Sequence, residues 1–125
     1  MPTIIDDYYE NPTASLVTVR CDPWNYKNNV LLMGDAAHAV VPFYGQGMNA
    51  GFEDCSVFWE LFEKYAGEWD LICNEYSELR VPDGNAIADL ALRNYIEMRD
   101  LTGDPKFLLQ KKIEKKNKVL QAKHI

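Results

Sequence analysis

The alternation of apolar and polar residues predicts two short strands in the first third of the chain. Residues 16–20 (Leu-Val-Thr-Val-Arg) are rich in β-branched side chains and alternate weakly. Residues 30–33 (Val-Leu-Leu-Met) form a short apolar run that ends at Gly34. Pro23 and several asparagines between the two runs are typical of a turn or loop. We therefore predict two strands, which can pair as neighbours.

After these strands the apolar period becomes helical. One helix face is predicted by apolar residues at spacings of 4, 3, 4 and 3, namely Met48, Phe52, Cys55, Trp59 and Phe62. We expect Gly67 to end this helix and part of its apolar face to pack against protein outside these residues. Further helices are predicted over 68–79, 82–101 and 106–122, with a break at 81–84. The predicted class is α+β, a short strand pair followed by three or four helices.

Composition and charge narrow the functional classes. The chain has 125 residues, of which 47% are hydrophobic, so it is globular and one domain at most. Residues 1–104 carry 6 basic and 18 acidic side chains, and such a surface repels nucleic-acid phosphates. Residues 105–125 contain seven lysines and one glutamate. This tail is either a solvated helix or a weak contact for an anionic surface.

Other sequence features argue against secretion, disulfides and metal binding. The three cysteines are odd in number and widely spaced, which favours a reducing compartment. The first residues resemble no secretory signal, and no apolar run approaches the ~20 residues of a membrane span. The two histidines, His38 and His124, lie far apart, so we predict no metal site.

The candidate chemistry lies between residues 34 and 51. The predicted strand delivers Gly34 and Asp35 at its carboxyl end, where a carboxylate can accept hydrogen bonds from hydroxyl groups. The segment 42–47 contains one proline and two glycines and is predicted to be an irregular loop. It opens the helix from Met48, whose unpaired N–H groups favour negative charge. An ordinary strand–loop–helix turn explains the same spacing.

The complete string is more specific than its parts. Residues 34–38 (Gly-Asp-Ala-Ala-His), followed by Pro42 and by 45–49 (Gly-Gln-Gly-Met-Asn), resemble the second FAD-binding motif of class A flavoprotein monooxygenases. Residues 42–55 and 94–99 (Asn-Tyr-Ile-Glu-Met-Arg) resemble most closely the members that hydroxylate kynurenine. The resemblance implies part of the FAD/NAD(P)-binding fold typified by p-hydroxybenzoate hydroxylase. Residues 1–104 would form the C-terminal part of that domain.

The resemblance also implies an activity and a role for individual residues. The activity is NADPH- and FAD-dependent hydroxylation of L-kynurenine by O2 to 3-hydroxykynurenine, a step of tryptophan catabolism toward NAD. Residues expected to contact FAD are Gly34, Asp35, Gly47, Met48 and Asn49, with Asp35 at the ribityl chain. Residues expected at the reaction centre, between flavin and substrate, are Pro42, Phe43 and Gln46.

Two polar residues near this segment each allow two interpretations. Helical spacing places Asn94 within an apolar stripe, so its amide needs a partner. That partner is either a neighbouring element or a ligand, and the resemblance favours the amino-acid end of kynurenine. His38 is expected to pack or cap beside the loop rather than to transfer protons.

Departures from the family pattern limit what we expect of these residues alone. They contain no G-x-G-x-x-G fingerprint for the FAD pyrophosphate, so we expect these residues alone to bind FAD weakly or not at all and to be inactive. The resemblance implies a mitochondrial outer-membrane enzyme, whereas we expect this chain, without an anchor, to be soluble or cytoplasmic. The alternatives are a part of another FAD-dependent aromatic hydroxylase and a non-catalytic interaction protein.

Overall fold

The computed structural model describes residues 3–122. The helices and strands are, in chain order, α1 (Ile4–Glu10), β1 (Asn25–Tyr26), β2 (Val30–Leu31), α2 (Asp35–His38), α3 (Gly47–Lys64), α4 (Trp69–Ile96) and α5 (Pro105–Ala122). A 3₁₀ turn covers Pro42–Tyr44, and a π-helical turn covers Glu97–Leu101. The described chain is thus mostly helical with one antiparallel strand pair, which confirms the predicted α+β class. The 3₁₀ turn corrects the prediction that 42–47 is irregular throughout.

The strand pair is a hairpin, and it differs from the predicted pairing. Asn25 lies opposite Leu31, and Tyr26 lies opposite Val30. The predicted strand at 30–33 is confirmed in its first half, but the strand at 16–20 is wrong. In the described chain that segment makes one backbone hydrogen bond, from Val19 N to the Ala39 carbonyl, at 2.8 Å. Without a ladder partner, its β-branched residues do not form a strand.

The longest helix, α4, runs through the predicted break at 81–84, so that prediction is wrong. Pro82 lies inside the helix, and tertiary contacts on both sides of it outweigh its local cost. On one side, Ser77 Oγ accepts the backbone N–H of Trp24 at 2.8 Å. On the other side, Gly84 lies against the Trp24 ring. The tryptophan therefore contacts α4 on both sides of Pro82.

The hydrophobic core lies where the hairpin, α2, α3 and α4 meet. Its buried members are Trp24, Ala37, Leu61, Ile72 and Tyr76. The helix α3 starts and ends close to the predicted positions, with a left-handed Gly67 shortly after it. Its predicted apolar stripe, however, is on the solvent side, where Met48 is 72%, Phe52 65% and Trp59 57% exposed. The inward face of α3 carries Ala50, Asp54 and Leu61, and Phe58 and Phe62 also pack against the core.

The final helix and the cysteines complete the fold. The helix α5 matches the predicted 106–122 and follows Gly103. Within residues 3–122, no helix combines the length and the apolar character that crossing a bilayer requires. Cys21, Cys55 and Cys73 are all free thiols.

Candidate functional site

The turn after β2 presents Asp35 to solvent. Gly34 has a φ of +56°, a left-handed conformation that glycine adopts readily, and it precedes the four-residue helix α2. Asp35 is the first residue of α2 and is exposed, whereas Ala37 and His38 at its other end are buried. The short helix therefore points a carboxylate outward while its opposite side is fixed in the core.

The start of α3 faces the same region. Gly45 has a φ of +67° and ends the 3₁₀ turn, after which Gln46 precedes the first helical residue, Gly47. The side chain of Gln46 does not cap the helix. Instead its Oε1 accepts a hydrogen bond from Asn49 Nδ2 at 2.8 Å. The first N–H groups of α3, from Gly47 onward, therefore stay available to an acceptor outside the helix.

The turn and the start of α3 form two walls of one open cleft. Its volume is about 650 Å³, and its lining residues are Gly34, Asp35, Val40, Pro42, Gly45, Gly47, Met48, Gly51, Phe52 and Cys55. This cleft brings together five of the residues predicted from sequence, from Gly34 to Met48. Phe43, Gln46, Asn49 and Asn94 were also predicted, and they lie outside this lining.

The cleft offers open space together with polar groups of two kinds. A β-carbon added at Gly34, Gly45 or Gly51 would meet no atom within 4 Å, so the glycines border open space. Asp35 supplies an acceptor for hydroxyl groups, and the N-terminus of α3 supplies donors and the positive end of a helix dipole. One wall therefore accepts hydrogen bonds, and the other donates them.

Asn94 reaches the loop from α4 rather than lining the cleft. Its Nδ2 donates a hydrogen bond to the Phe43 carbonyl oxygen. The Phe43 ring packs on Tyr95, with ring centroids 4.5 Å apart. The partner of Asn94 in this structure is therefore a neighbouring element, one of the two alternatives that the sequence allowed. Two successive residues of α4 thus fix the 3₁₀ turn by one polar and one aromatic contact.

Sequence reasoning missed a buried ionic cluster behind α2. Asp54 on α3 is fully buried, and its Oδ2 lies 2.8 Å from Gly34 N and 2.6 Å from His38 Nε2. Its Oδ1 accepts the Arg80 Nε–H at 2.8 Å. The guanidinium of Arg80, 2% exposed, also contacts Glu53 at 2.9 Å and Asp83 at 3.0 Å. We refer to Asp54, His38 and Arg80 as the buried cluster.

One signal could have found this cluster. Asp54 lies four residues after Ala50 and seven before Leu61, so all three share the inward face of α3. A charged residue at such a position requires a buried partner of opposite charge. The sequence does not show which basic residue that is, because Arg80 lies on a different helix.

Contacts within the buried cluster determine the charge of Asp54 and of Arg80. Burial alone raises the pKa of the Asp54 carboxyl, but hydrogen bonds from His38, Gly34 and Arg80 outweigh it and hold that pKa below 3.8. Burial also opposes the charge on Arg80, yet the contact with Asp54 keeps the guanidinium pKa above its usual value. Burial, with Asp54 nearby, raises the pKa of the Tyr76 phenol well above its usual range. The site therefore contains an ionised Asp54–Arg80 pair and a protonated tyrosine.

His38 has a structural environment. Its imidazole stacks on the Trp24 indole with centroids 4.9 Å apart and planes inclined by 29°. It is 3% exposed, and its Nδ1 has no hydrogen-bond partner among the described residues. Within residues 3–122, no group of three or more His, Cys, Asp or Glu side chains is placed to hold a metal ion. His124 lies outside the described residues.

Comparison with known proteins gives one family and a consistent set of relatives. A family model described as "FAD binding domain" matches residues 7–91. A "Kynurenine 3-monooxygenase" of Flavobacterium psychrophilum is 52% identical over 115 residues, which cover 92% of this chain and 26% of the relative. Proteins with the same name from Dictyostelium discoideum and Anopheles gambiae are 48% and 50% identical, over 91% and 89% of this chain and 27% and 23% of their own lengths. The chain thus spans about a quarter of the curated relatives it matches.

Proposed function

We propose that the cleft of this chain forms one part of the flavin site of an aromatic hydroxylase. The chain belongs to the FAD binding domain family. The reaction we propose for the complete site is the NADPH-dependent hydroxylation of L-kynurenine to 3-hydroxykynurenine by O2. The relatives named kynurenine 3-monooxygenase support this choice over other aromatic hydroxylases. The family membership confirms the resemblance found in the sequence.

One observation carries the proposal. Asp35 and the first residues of α3, Gly47 and Met48, line the same cleft although the loop between them is long. An acceptor for hydroxyl groups and a set of free N–H donors thus face a common space. A ribityl chain carries hydroxyl groups, and the pyrimidine edge of the isoalloxazine ring gains negative charge on reduction. One wall is therefore suited to the ribityl chain of FAD, and the other to its isoalloxazine ring.

The proposed roles of the chain's residues follow from these positions. Asp35 binds and orients the ribityl hydroxyls, with Gly34 allowing close approach. The N–H groups at Gly47, Met48 and Asn49 donate to the pyrimidine edge, where the dipole of α3 favours negative charge. When bound, FAD supplies the oxygen-transferring chemistry that no side chain possesses.

The loop before α3 has a different proposed role. We propose that Pro42, Phe43 and Gln46 separate the flavin from the substrate and exclude water from the reacting atoms. Asn94 fixes this loop through the Phe43 carbonyl. We further propose that the oxygen of the same amide accepts a hydrogen bond from the amino-acid end of kynurenine. Asn94 would then link the position of the substrate to the shape of the loop.

The test replaces the corresponding quarter of the Flavobacterium psychrophilum relative with residues 1–125 of this chain. We expect the purified chimera to be yellow and to form 3-hydroxykynurenine with NADPH oxidation that depends on kynurenine. The unmodified relative is the positive control. A folded chimera that binds no flavin would refute the proposed site. A chimera that binds flavin but hydroxylates a different aromatic ring would support another hydroxylase instead.

A further inference from the structure

The helix α2 is too short to hold its own shape. It contains four residues, and a single helical turn fixes several dihedral angles in return for very few hydrogen bonds. It follows Gly34, whose backbone has the freedom to adopt many conformations. Its position must therefore be set by contacts from other elements, and Asp35 depends on that position because it is the first residue of α2.

One oxygen atom contacts both ends of this short helix. Asp54 Oδ2 accepts the N–H of Gly34, the residue that precedes α2, at 2.8 Å. The same atom lies 2.6 Å from Nε2 of His38, the last residue of α2. The other carboxylate oxygen is held by Arg80 Nε at 2.8 Å. Asp54 belongs to an 18-residue helix and its partner Arg80 to a 28-residue helix. The Asp54 carboxylate is therefore held in place by two long helices.

We propose that Asp54 is the positioning residue of the candidate cleft. It holds the Gly34–Asp35 turn in place relative to the start of α3, the helix to which Asp54 itself belongs. The inference rests on the proposed function, since the turn matters for a ligand that contacts Asp35. Asp54 touches no cleft ligand, because it is fully buried behind α2. Its role is to connect the two walls of the cleft through one carboxylate.

A carboxylate is required because two different oxygens are used. In Asp54→Asn, the single amide oxygen can replace Oδ1 or Oδ2, but not both. Either the Gly34 N–H or the Arg80 Nε–H then loses its acceptor. Glu53→Gln is a matched control, because Glu53 also contacts Arg80, at 2.9 Å, but is 57% exposed. Both variants remove one negative charge next to Arg80, and only one of them alters a contact with α2.

The experiment measures amide hydrogen exchange in the full chain, without ligand, by NMR. In Asp54→Asn we expect the hydrogen-bonded Gly34 and His38 amides to exchange about tenfold faster or more, with Ile72 and Tyr76 in the core unchanged. Glu53→Gln should leave all four amides as in the wild type. Equal acceleration of turn and core amides would show that Asp54 only stabilises the fold. Unchanged exchange at Gly34 in Asp54→Asn would show that the turn keeps its conformation without the Asp54 carboxylate.

A measurement on the wild type decides the question if Asp54→Asn does not fold. A scalar coupling across the hydrogen bond between Gly34 ¹⁵N and Asp54 ¹³Cγ is expected, and its absence in the folded chain would overturn the proposal. A separate titration with FAD uses the chimera with the Flavobacterium psychrophilum relative and follows flavin fluorescence. We expect the Asp54→Asn chimera to need about tenfold more FAD for half-saturation than the chimera with Asp54. A chimera with Asp54 that binds no FAD, with the exchange result as expected, would refute the proposed function and leave the positioning of the turn standing.

Discussion

Gly84 lies so close to the indole of Trp24 that a β-carbon at position 84 would come within 2.7 Å of Cζ2 of the ring. The same β-carbon would lie 3.2 Å from Cβ of His38. The indole cannot easily move away, because its Nε1 donates to the Cys21 carbonyl at 3.0 Å and the ring belongs to the core. The glycine therefore allows α4 to approach the element that carries the candidate site.

We expect Gly84→Ala to lower the free energy of unfolding by about 1–3 kcal/mol, the usual cost of overpacking a core. Gly51→Ala is the control, since it also lies within a helix but a β-carbon there meets nothing within 4 Å. We expect that variant to be neutral or more stable by up to ~1 kcal/mol, because alanine favours helix. Urea unfolding of both variants measures the difference. Equal stabilities would mean that the Trp24 ring has room to shift.

The close packing at Gly84 shows why one part of the fold could not be predicted. The run 81–84 contains Pro82 and Gly84, and by local propensity it is a helix break. In the structure both residues lie within α4, because Trp24, about sixty residues earlier, packs against this side of the helix. Contacts over such a separation leave no local pattern in the sequence. The start and end of α3, which depend on nearby residues, were predicted closely.

The candidate site, too, was predicted only where it depends on residues close together in the sequence. Gly34, Asp35 and the start of α3 were predicted from a contiguous motif, and the structure brings them to one cleft. The buried cluster behind them was not predicted, because Asp54 and Arg80 lie 26 residues apart on different helices. The apolar stripe of α3 shows a related limit. Helical spacing identified the face correctly, but spacing does not say whether a face is buried within the same chain.

We expect the stability of the chain to decrease in acid because of Asp54. The pKa of Asp54 in the folded chain is held below 3.8. The stability that the ionised carboxylate contributes is therefore fully present above that value and is lost as the pH falls through the folded pKa. Urea unfolding between pH 6 and pH 2 should show a steeper loss below about pH 4 in the wild type than in Asp54→Asn. Asp89→Asn, which removes an exposed partner of Arg20, should keep the wild-type slope. Parallel curves for Asp54→Asn and the wild type would contradict this assignment.

We expect the apolar stripe of α3 to cause self-association of the chain. Trp59 is 57% exposed and stacks on Phe62 with centroids 5.8 Å apart, which leaves a continuous aromatic surface in solvent. Trp59→Gln should lower the weight-average mass in sedimentation experiments while the unfolding transition stays unchanged. Leu61→Gln places the same side chain at a 4% exposed position and should unfold the chain instead. A wild-type chain that remains monomeric at high concentration would count against the prediction.

We expect the basic helix α5 to make no stable insertion into a bilayer. Lys111, Lys112, Lys115 and Lys116 follow one another too closely for an apolar span. Any attraction to anionic vesicles should be peripheral and should disappear at high salt. Co-sedimentation with phosphatidylserine vesicles at low and high ionic strength tests this, with neutral vesicles as the control. Association that survives alkaline extraction would show the prediction to be wrong.

The last prediction separates the two sets of residues in the candidate site, using the chimera with the Flavobacterium psychrophilum relative. Asp35→Ala should lower flavin occupancy, because the ribityl hydroxyls lose a charged acceptor that contributes roughly 1.5–3 kcal/mol. Asn94→Ala should retain flavin, because Asn94 contacts the Phe43 carbonyl and not the cleft wall. It should raise the KM for kynurenine and uncouple NADPH oxidation from hydroxylation, since a displaced loop admits water. Gln46→Ala should affect turnover more than flavin occupancy.

Flavin absorbance, the KM for kynurenine and the ratio of product to NADPH consumed distinguish these outcomes. Asp89→Asn serves as a control, because Asp89 also lies on α4 but its side chain is 72% exposed and pairs only with Arg20 among the described residues. Loss of flavin in Asn94→Ala with full occupancy in Asp35→Ala would reverse the proposed roles. If Asn94→Ala lowered only the yield of folded protein, the hydrogen bond to Phe43 would be its whole function. The amide would then stabilise the loop and make no contact with substrate.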